Sequence, residues 1–402
     1  MKTTLDTPPS TTRIRRCAGS LTTCLALGLL LLPVGGASAA KKVTGFDPGK
    51  HGFNFSNSFN NDAVKEIDLR TGGLCGGMVY AALDYYHDRA RSIPRQDFKP
   101  ANRTTLQSYI YGRQMDSLGP NLTKWAEVGI NPGGARDREF FRWGLTTELA
   151  NLRAMIDGGQ PAPLGIKGHG RGDHQILAIG YDQGSGRTSD LRIYVYDPNF
   201  PNQTQVLMAD ENRALFYYQG RPSHLWRTYF VDKSYRPKTA PSIGTPNYPD
   251  DGILRELVVE FCTGEDDLRG GRDNVNMTLH LRNGTRMTMP NVNCGARWLS
   301  NYDEFAQVRL LSPVRKVDIA AIEFTTTFGG GIGGDNWDTD RIVVWNNLGA
   351  TRRMIVQHSG KFRFTGDRKS LRLMMPTVAP AKTVIPPCAA NATRAVRVKI
   401  RP

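Results

Sequence analysis

The stretch KSYRPKTAPSIGTPNYPDDG, residues 233–252, constrains the fold more than any other segment. It is rich in Pro, Gly and Ser and has no periodic apolar pattern, so it reads as a linker between two differently textured halves. Beyond it come short β-type runs separated by Gly, Asn and Asp: ILRELVVEF, VNMTLHL, RMTMPNV, AQVRLL, VDIAAIEFTTTF and RIVVWNN, then KFRF and SLRLMM. That spacing predicts an all-β sandwich or barrel, with a sandwich expected over residues 253–375 and a Pro-rich basic tail at 376–402. Before the linker, element types mix. Met78, Val79, Ala82, Leu83 and Tyr86 recur at helical spacing, and LTTELANLRAMIDGG reads as a second helix ended by Gly158 and Gly159. APLGI, HQILAIGY and LRIYVYD read as strands, so residues 41–232 are expected to form an α+β domain, helices first and an antiparallel sheet after.

The first 40 residues read as an export signal. Lys2, Arg13, Arg15 and Arg16 precede the apolar run CLALGLLLLPVGG, and ASAA supplies the small residues of a cleavage site. The expected mature chain is periplasmic or extracellular and has no transmembrane segment, because no later apolar run approaches about 18 residues. The 402-residue chain carries a formal charge of +15, which falls to +12 when residues 1–40 leave. That balance favours an anionic envelope or polymer surface. The basic residues are scattered, with no dense Lys/Arg run interleaved with aromatics, which argues against a specific nucleic-acid reader.

Four cysteines follow the signal: Cys75, Cys262, Cys294 and Cys388. In an oxidising compartment most should pair, and Cys262 with Cys294, close in one segment, is the expected disulfide. Cys75 and Cys388 then either join or leave Cys75 free for chemistry. Cys75 lies in GGLCGGMVYAALDYY, between two pairs of glycines at the start of a predicted helix. A helix N-terminus favours a thiolate, and Gly76 and Gly77 are expected to leave room for a substrate backbone beside the sulfur.

Ninety-nine residues on, HQILAIGYD and LRIYVYDPN flank a turn-rich loop and form a predicted hairpin. If Tyr181 pairs with Arg192, His174 falls opposite Asn199, and a two-residue change of register brings Asp197 there instead. Asp197 and Asn199 share a face, so either can orient the His174 imidazole. A thiol, a histidine base and a third polar group holding that base form an activated nucleophile.

GLCGGM with AALDYY, then HQILAIGYD and YVYDPN, resembles the papain-like cysteine peptidase superfamily, on its bacterial branch related to bacteriocin-leader peptidases. The resemblance covers roughly residues 50–232. It implies a papain-like fold, with Cys75 as nucleophile, His174 as general base and acid, and Asp197 as orienting residue. The family's oxyanion Gln is absent: its position, six before the cysteine, is Leu69. Asn57 either supplies the missing amide donor or caps a turn.

TGEDDLRGGRDNVNMTLHLRNGT and TTTFGGGIGGDNWDTDRIVV resemble a distant PLAT-type β-sandwich, which implies a binding or positioning module. Asp266, Asp267, Asp335, Asp338 and Asp340 offer hard oxygen ligands for calcium, although capping of turns is the favoured reading. No other cofactor is expected. His169, Asp173 and His174 lack zinc spacing, and the RGD of GRGDH reads as loop. The expected function is an exported cysteine hydrolase acting on peptide or protein substrates, with a β-sandwich targeting module. The alternative is a non-catalytic secreted binding protein that keeps the papain-like fold.

Overall fold

The computed structural model describes residues 41–64, 69–329 and 334–376, all within one compact unit. The expected signal (1–40) and the tail beyond Pro376 lie outside the described residues. The elements of the first half are β1 (Lys42–Val43), α1 (Pro48–His51), β2 (Asn60–Val64), β3 (Leu69–Gly72), α2 (Cys75–His87) and α3 (Thr105–Leu118). Then come α4 (Leu122–Gly129), α5 (Asp137–Leu145), α6 (Thr147–Asp157), β4 (Ala162–Gly168), β5 (His174–Asp182), β6 (Arg192–Tyr196), β7 (Thr204–Asp210), β8 (Leu215–Tyr218) and β9 (Arg221–Val231).

The six strands β5–β4–β9–β8–β7–β6 are joined antiparallel, and β6 pairs back onto β5, so the sheet closes into a barrel. Strand β1 adds to β5 where β4 has ended. The expected α+β domain with a papain-like fold is therefore overturned: strands account for 38% of the structure and helices for 22%, and the sheet is a closed ring. The physical reason lies in residues 204–231, where the sequence reading assigns no strand. TQVLMAD, LFYY and RPSHLWRTYFV form β7, β8 and β9 and carry the sheet round to closure, which removes its edges.

Strand β5 is buried along nearly its whole length because both faces are covered. Ile176 and Ala178 join a core shared with β4, β6–β9, α5 and α6. Leu177 and Ile179 face the other way, into the core around α2. That helix is buried from Cys75 through Tyr85, as an apolar pattern on all faces requires.

The second half contains β10 (Ile253–Thr263), β11 (Val275–Leu281), β12 (Arg286–Met289), β13 (Asp303–Arg315), β14 (Ile319–Thr326), β15 (Trp337–Asn347), β16 (Arg352–Phe364) and β17 (Ser370–Met374). Two four-stranded antiparallel sheets, β13–β10–β15–β16 and β12–β11–β14–β17, share one core, in which Trp298 and Trp337 are fully buried. The outer face of the first sheet is covered by Phe98, which packs with Val258 and Phe305. Beside it the buried Lys99 ammonium donates to the carbonyls of Ser58 and Asp303 and lies 3.9 Å from carboxylate oxygens of Asp303 and Glu304. Segment 233–252 has no helix or strand and is tied to α2: the Tyr235 hydroxyl donates to Asp84 (2.9 Å), and the Tyr85 hydroxyl donates to the Pro241 carbonyl (2.8 Å).

The expected Cys262–Cys294 disulfide does not form. Cys294 is free and exposed, whereas Cys262 is buried in β10 and disulfide-bonded. Proximity in sequence misleads here because β10 and the turn after β12 belong to different sheets. Among the described residues no helix is long and apolar enough to cross a membrane.

A candidate thiol–imidazole site at one mouth of the barrel

Cys75 is the first residue of α2, and its thiol is free and buried. The N-cap residue, Leu74, has no side-chain acceptor of its own. Distant side chains supply the caps instead: Asn57 Oδ1 accepts the Leu74 N–H (2.6 Å), and Gln114 Oε1 accepts the Gly77 N–H (2.8 Å). The Cys75 N–H, between them, has no hydrogen-bond partner among the described residues.

The glycines around Cys75 have a different cause from the one expected. A Cβ on Gly77 would run into the backbone carbonyl of Ile110, and one on Gly76 into the side chains of Gln175 and Ser117. They let α2 press against α3 and β5, and do not clear a path for substrate. Only Gly73, at φ +93°, is demanded by backbone conformation.

The barrel connections explain how the partners reach the sulfur. The turns β4–β5, β6–β7 and β8–β9 all lie at one mouth, as alternation in an antiparallel ring requires. His174 opens β5, Asp197 and Asn199 follow β6, Tyr218 ends β8, and Trp226 lies in β9. The observed register pairs Tyr181 with Ile193, one residue from the expected Arg192. An irregularity between Ala178 and Gly180 then shifts the ladder so that Leu177 faces Tyr196. His174 is thereby aimed at both expected partners. Its Nε2 lies 2.7 Å from Asp197 Oδ1, and the Asn199 amide lies 3.1 Å from the same nitrogen. The Cys75 sulfur acts on the same imidazole and favours its charged form.

Asp197 is buried and fully engaged. Besides His174, its Oδ1 accepts the Asn199 N–H (2.8 Å) and its Oδ2 accepts the Tyr218 hydroxyl (2.8 Å). Burial works against an imidazolium at His174, but the Asp197 carboxylate and then the Cys75 sulfur outweigh it and hold the pKa up, to about 10. Burial likewise opposes the Asp197 carboxylate, and the facing His174 with the three hydrogen bonds brings its pKa below the ordinary value. The Trp226 ring stacks on the imidazole, with centroids 6.1 Å apart and planes 15° apart. Tyr218 and Trp226 are the residues sequence reasoning missed, since only closure of the barrel through β8 and β9 brings them to His174.

Asn57 reaches the start of α2 at Leu74, one residue before Cys75. Its N–H donates to the Pro198 carbonyl (3.0 Å), its side-chain oxygen holds Leu74, and its Nδ2 donates to no described residue. The calcium candidates do not converge: among the described residues no three His, Cys, Asp or Glu side chains gather to hold a metal. Arg363 takes both oxygens of Asp338 (3.0 and 3.1 Å) and one of Asp266 (2.7 Å), while Asp267 pairs with Arg297 and Asp335 with Arg269. Asp340 is exposed on β15. Of the RGD loop, Asp173 is held by Lys167 and the Gly168 N–H, and Arg171 lies over Trp226.

No family model matches the chain, and no curated protein matches it. Among solved structures it is similar to the alpha-toxin of Clostridium perfringens from an avian strain, at 14% identity over 34% of each chain with a TM-score of 0.26. It is also similar to the alpha toxin of Clostridium absonum, at 15% identity over 32% of this chain and 33% of that one with a TM-score of 0.25. A third match, to a deletion variant of a LOX protein, covers 31% of this chain and 18% of that one at 16% identity and a TM-score of 0.23. The chain spans about a third of the length of the toxins it matches. The expected membership of the papain-like superfamily is corrected: the short motifs that carried it mark a helix start and a hairpin, while the fold around them is a closed barrel.

Proposed function

We propose that the protein is an exported cysteine hydrolase that cleaves peptide or amide bonds of a peptide or protein substrate. The observation that carries this reading is the buried His174–Asp197 pair, with the free Cys75 thiol acting on the same imidazole. Each member has the chemistry its place requires. Cys75, at a helix N-terminus and against the imidazole, attacks the substrate carbonyl carbon while its proton rests on His174. The C–N bond then breaks as His174 returns that proton to the leaving amine. A water, deprotonated by the same imidazole, resolves the thioester to a carboxylic acid and the free thiol. The Cys75 N–H and the Asn57 amide are the donors for the developing oxyanion.

The thiol is free, which disfavours the alternative in which a Cys75 disulfide marks a binding protein without catalysis. The two packed sheets of the second half, together with the net positive charge, fit a module that holds the enzyme on an anionic surface. The test is alkylation of Cys75 by iodoacetamide across pH in the purified protein, beside His174→Ala, together with hydrolysis of a peptide library by wild type and Cys75→Ala. Rapid labelling that collapses in the histidine variant, and cleavage lost in the cysteine variant, are the expected results. Equal labelling in both, or cleavage kept by Cys75→Ala, would refute the reading.

A further inference from the structure

We infer that Arg171 and Arg221 select a substrate that carries a carboxylate close to the bond being cleaved. This inference rests on the hydrolase reading and names its substrate class. The two arginines come from different turns at the barrel mouth. Arg171, in the β4–β5 connection, holds its guanidinium 4.4 Å from the centroid of Trp226, the ring that stacks on His174. Arg221 opens β9, with its guanidinium 4.2 Å from the Phe200 ring. His224 lies between them, packed against Phe200 (5.8 Å) and Tyr218 (6.2 Å), and Tyr218 packs in turn against Trp226 (5.9 Å). A continuous run of packed rings thus leads from the imidazole, with one guanidinium over each end.

Neither guanidinium has a hydrogen-bond or ion-pair partner among the described residues, unlike the arginines that pair within their own segment. Arg136, Arg213 and Arg255 each meet a carboxylate three or four positions away. The acids near the mouth are already engaged: Asp197 by His174, Tyr218 and Asn199, and Asp173 by Lys167 and Gly168. Burial, then the two arginines, hold the His224 pKa below its ordinary value, so the ring adds little positive charge of its own. Its Nδ1 and the Trp226 Nε1 are buried without a partner. The rim therefore offers positive charge and, at Trp226 Nε1, an unpartnered N–H donor. A substrate carboxylate supplies both the charge and the acceptor, and a planar guanidinium on an aromatic face is well suited to hold it.

The test uses two reagents with one electrophile, the α-amides of N-iodoacetyl-glutamate and N-iodoacetyl-glutamine. Their alkylation rates at Cys75 are read by mass spectrometry, with exposed Cys294 as internal reference. The glutamate reagent should react roughly tenfold faster at Cys75 relative to its ratio at Cys294, as a charge-assisted contact implies. Added salt should shrink that preference. Arg171→Gln and Arg221→Gln should each reduce the ratio, and the double variant should bring it near unity. Because a ratio is read, changes in intrinsic thiol reactivity cancel. Equal rates in the wild type, or an unchanged ratio in the double variant, overturn the inference while leaving the hydrolase reading intact. If Cys294 reacts and Cys75 resists both reagents, the hydrolase reading falls and the inference with it.

Discussion

Nε2 of His174 lies 2.7 Å from Oδ1 of Asp197, with both side chains buried. The carboxylate favours the protonated ring, on which the Cys75 sulfur also acts, as the proposed hydrolase chemistry requires. Asp197→Asn keeps the shape and removes the charge. Iodoacetamide alkylation of Cys75 should slow by on the order of tenfold or more, since a charge-assisted contact is lost. Circular dichroism should stay that of the wild type. An unaltered alkylation rate would mean that Asp197 does not act through His174.

The same pair governs a pH dependence of stability. The folded-state pKa of His174 is raised to about 10, with burial opposing and Asp197 prevailing. A raised imidazole pKa contributes stability that is fully present below the unfolded value near 6.5 and is lost as pH climbs through the folded value. The stability advantage of wild type over His174→Gln in denaturant titrations should therefore shrink from pH 6.5 to 10. An advantage that grows over that window would contradict the assignment.

Tyr218 touches Asp197 and not the thiol, which makes it a positioning residue. Tyr218→Phe deletes one of the donors to a buried carboxylate and leaves the ring packing against Trp226. We expect Cys75 alkylation to slow about 3- to 10-fold, in line with one hydrogen bond to a charged group. The pH midpoint of that alkylation should move as well, which loss of packing alone would not produce.

The sequence exposes this site better than the fold that carries it. GLCGGM predicts a helix beginning at Cys75, and the hairpin from HQILAIGYD to YVYDPN places His174 near both Asp197 and Asn199; all of these are local relations, readable from turn residues and alternation. Closure of the barrel is not local. It depends on β6 returning to β5 after the sheet has passed through β7, β8 and β9, and no single segment displays that pairing. The one-residue irregularity at Ala178 and the caps supplied by Asn57 and Gln114 are equally invisible, because each joins distant parts of the chain. The glycines were legible as unusual, but their purpose was not: only the approach of Ile110 and Gln175 shows that they serve packing.

That packing makes a prediction opposite to helix propensity. In an exposed helix Gly→Ala stabilises by about 1 kcal/mol. At Gly77 the added methyl would meet the backbone of α3, at Ile110 and Gln114, and backbone cannot swing aside. Gly77→Ala should destabilise by about 1–3 kcal/mol in a denaturant titration, as overpacking does. It should also displace α2 and slow labelling of Cys75. A stabilised variant would show that the two helices are less closely opposed.

Glu304 offers a readout far from the thiol. It is buried beside Lys99 and Asp303, and burial, helped by the Asp303 charge and opposed by Lys99, raises its pKa to about 7. A carboxyl whose folded pKa is raised binds its proton more tightly in the folded state than in the unfolded chain. Between the ordinary carboxylate value near 4.5 and pH 7 the unfolded chain therefore holds fewer protons, and stability falls as pH rises across that interval. Glu304→Gln keeps the shape, removes the ionisation, and leaves Lys99 its bonds to the Ser58 and Asp303 carbonyls. Its stability should stay flatter than that of wild type from pH 4.5 to 7, with the variant gaining relative to wild type toward neutrality. Parallel profiles for the two proteins would show that Glu304 is ionised in the folded state throughout, held by Lys99 more strongly than burial opposes it.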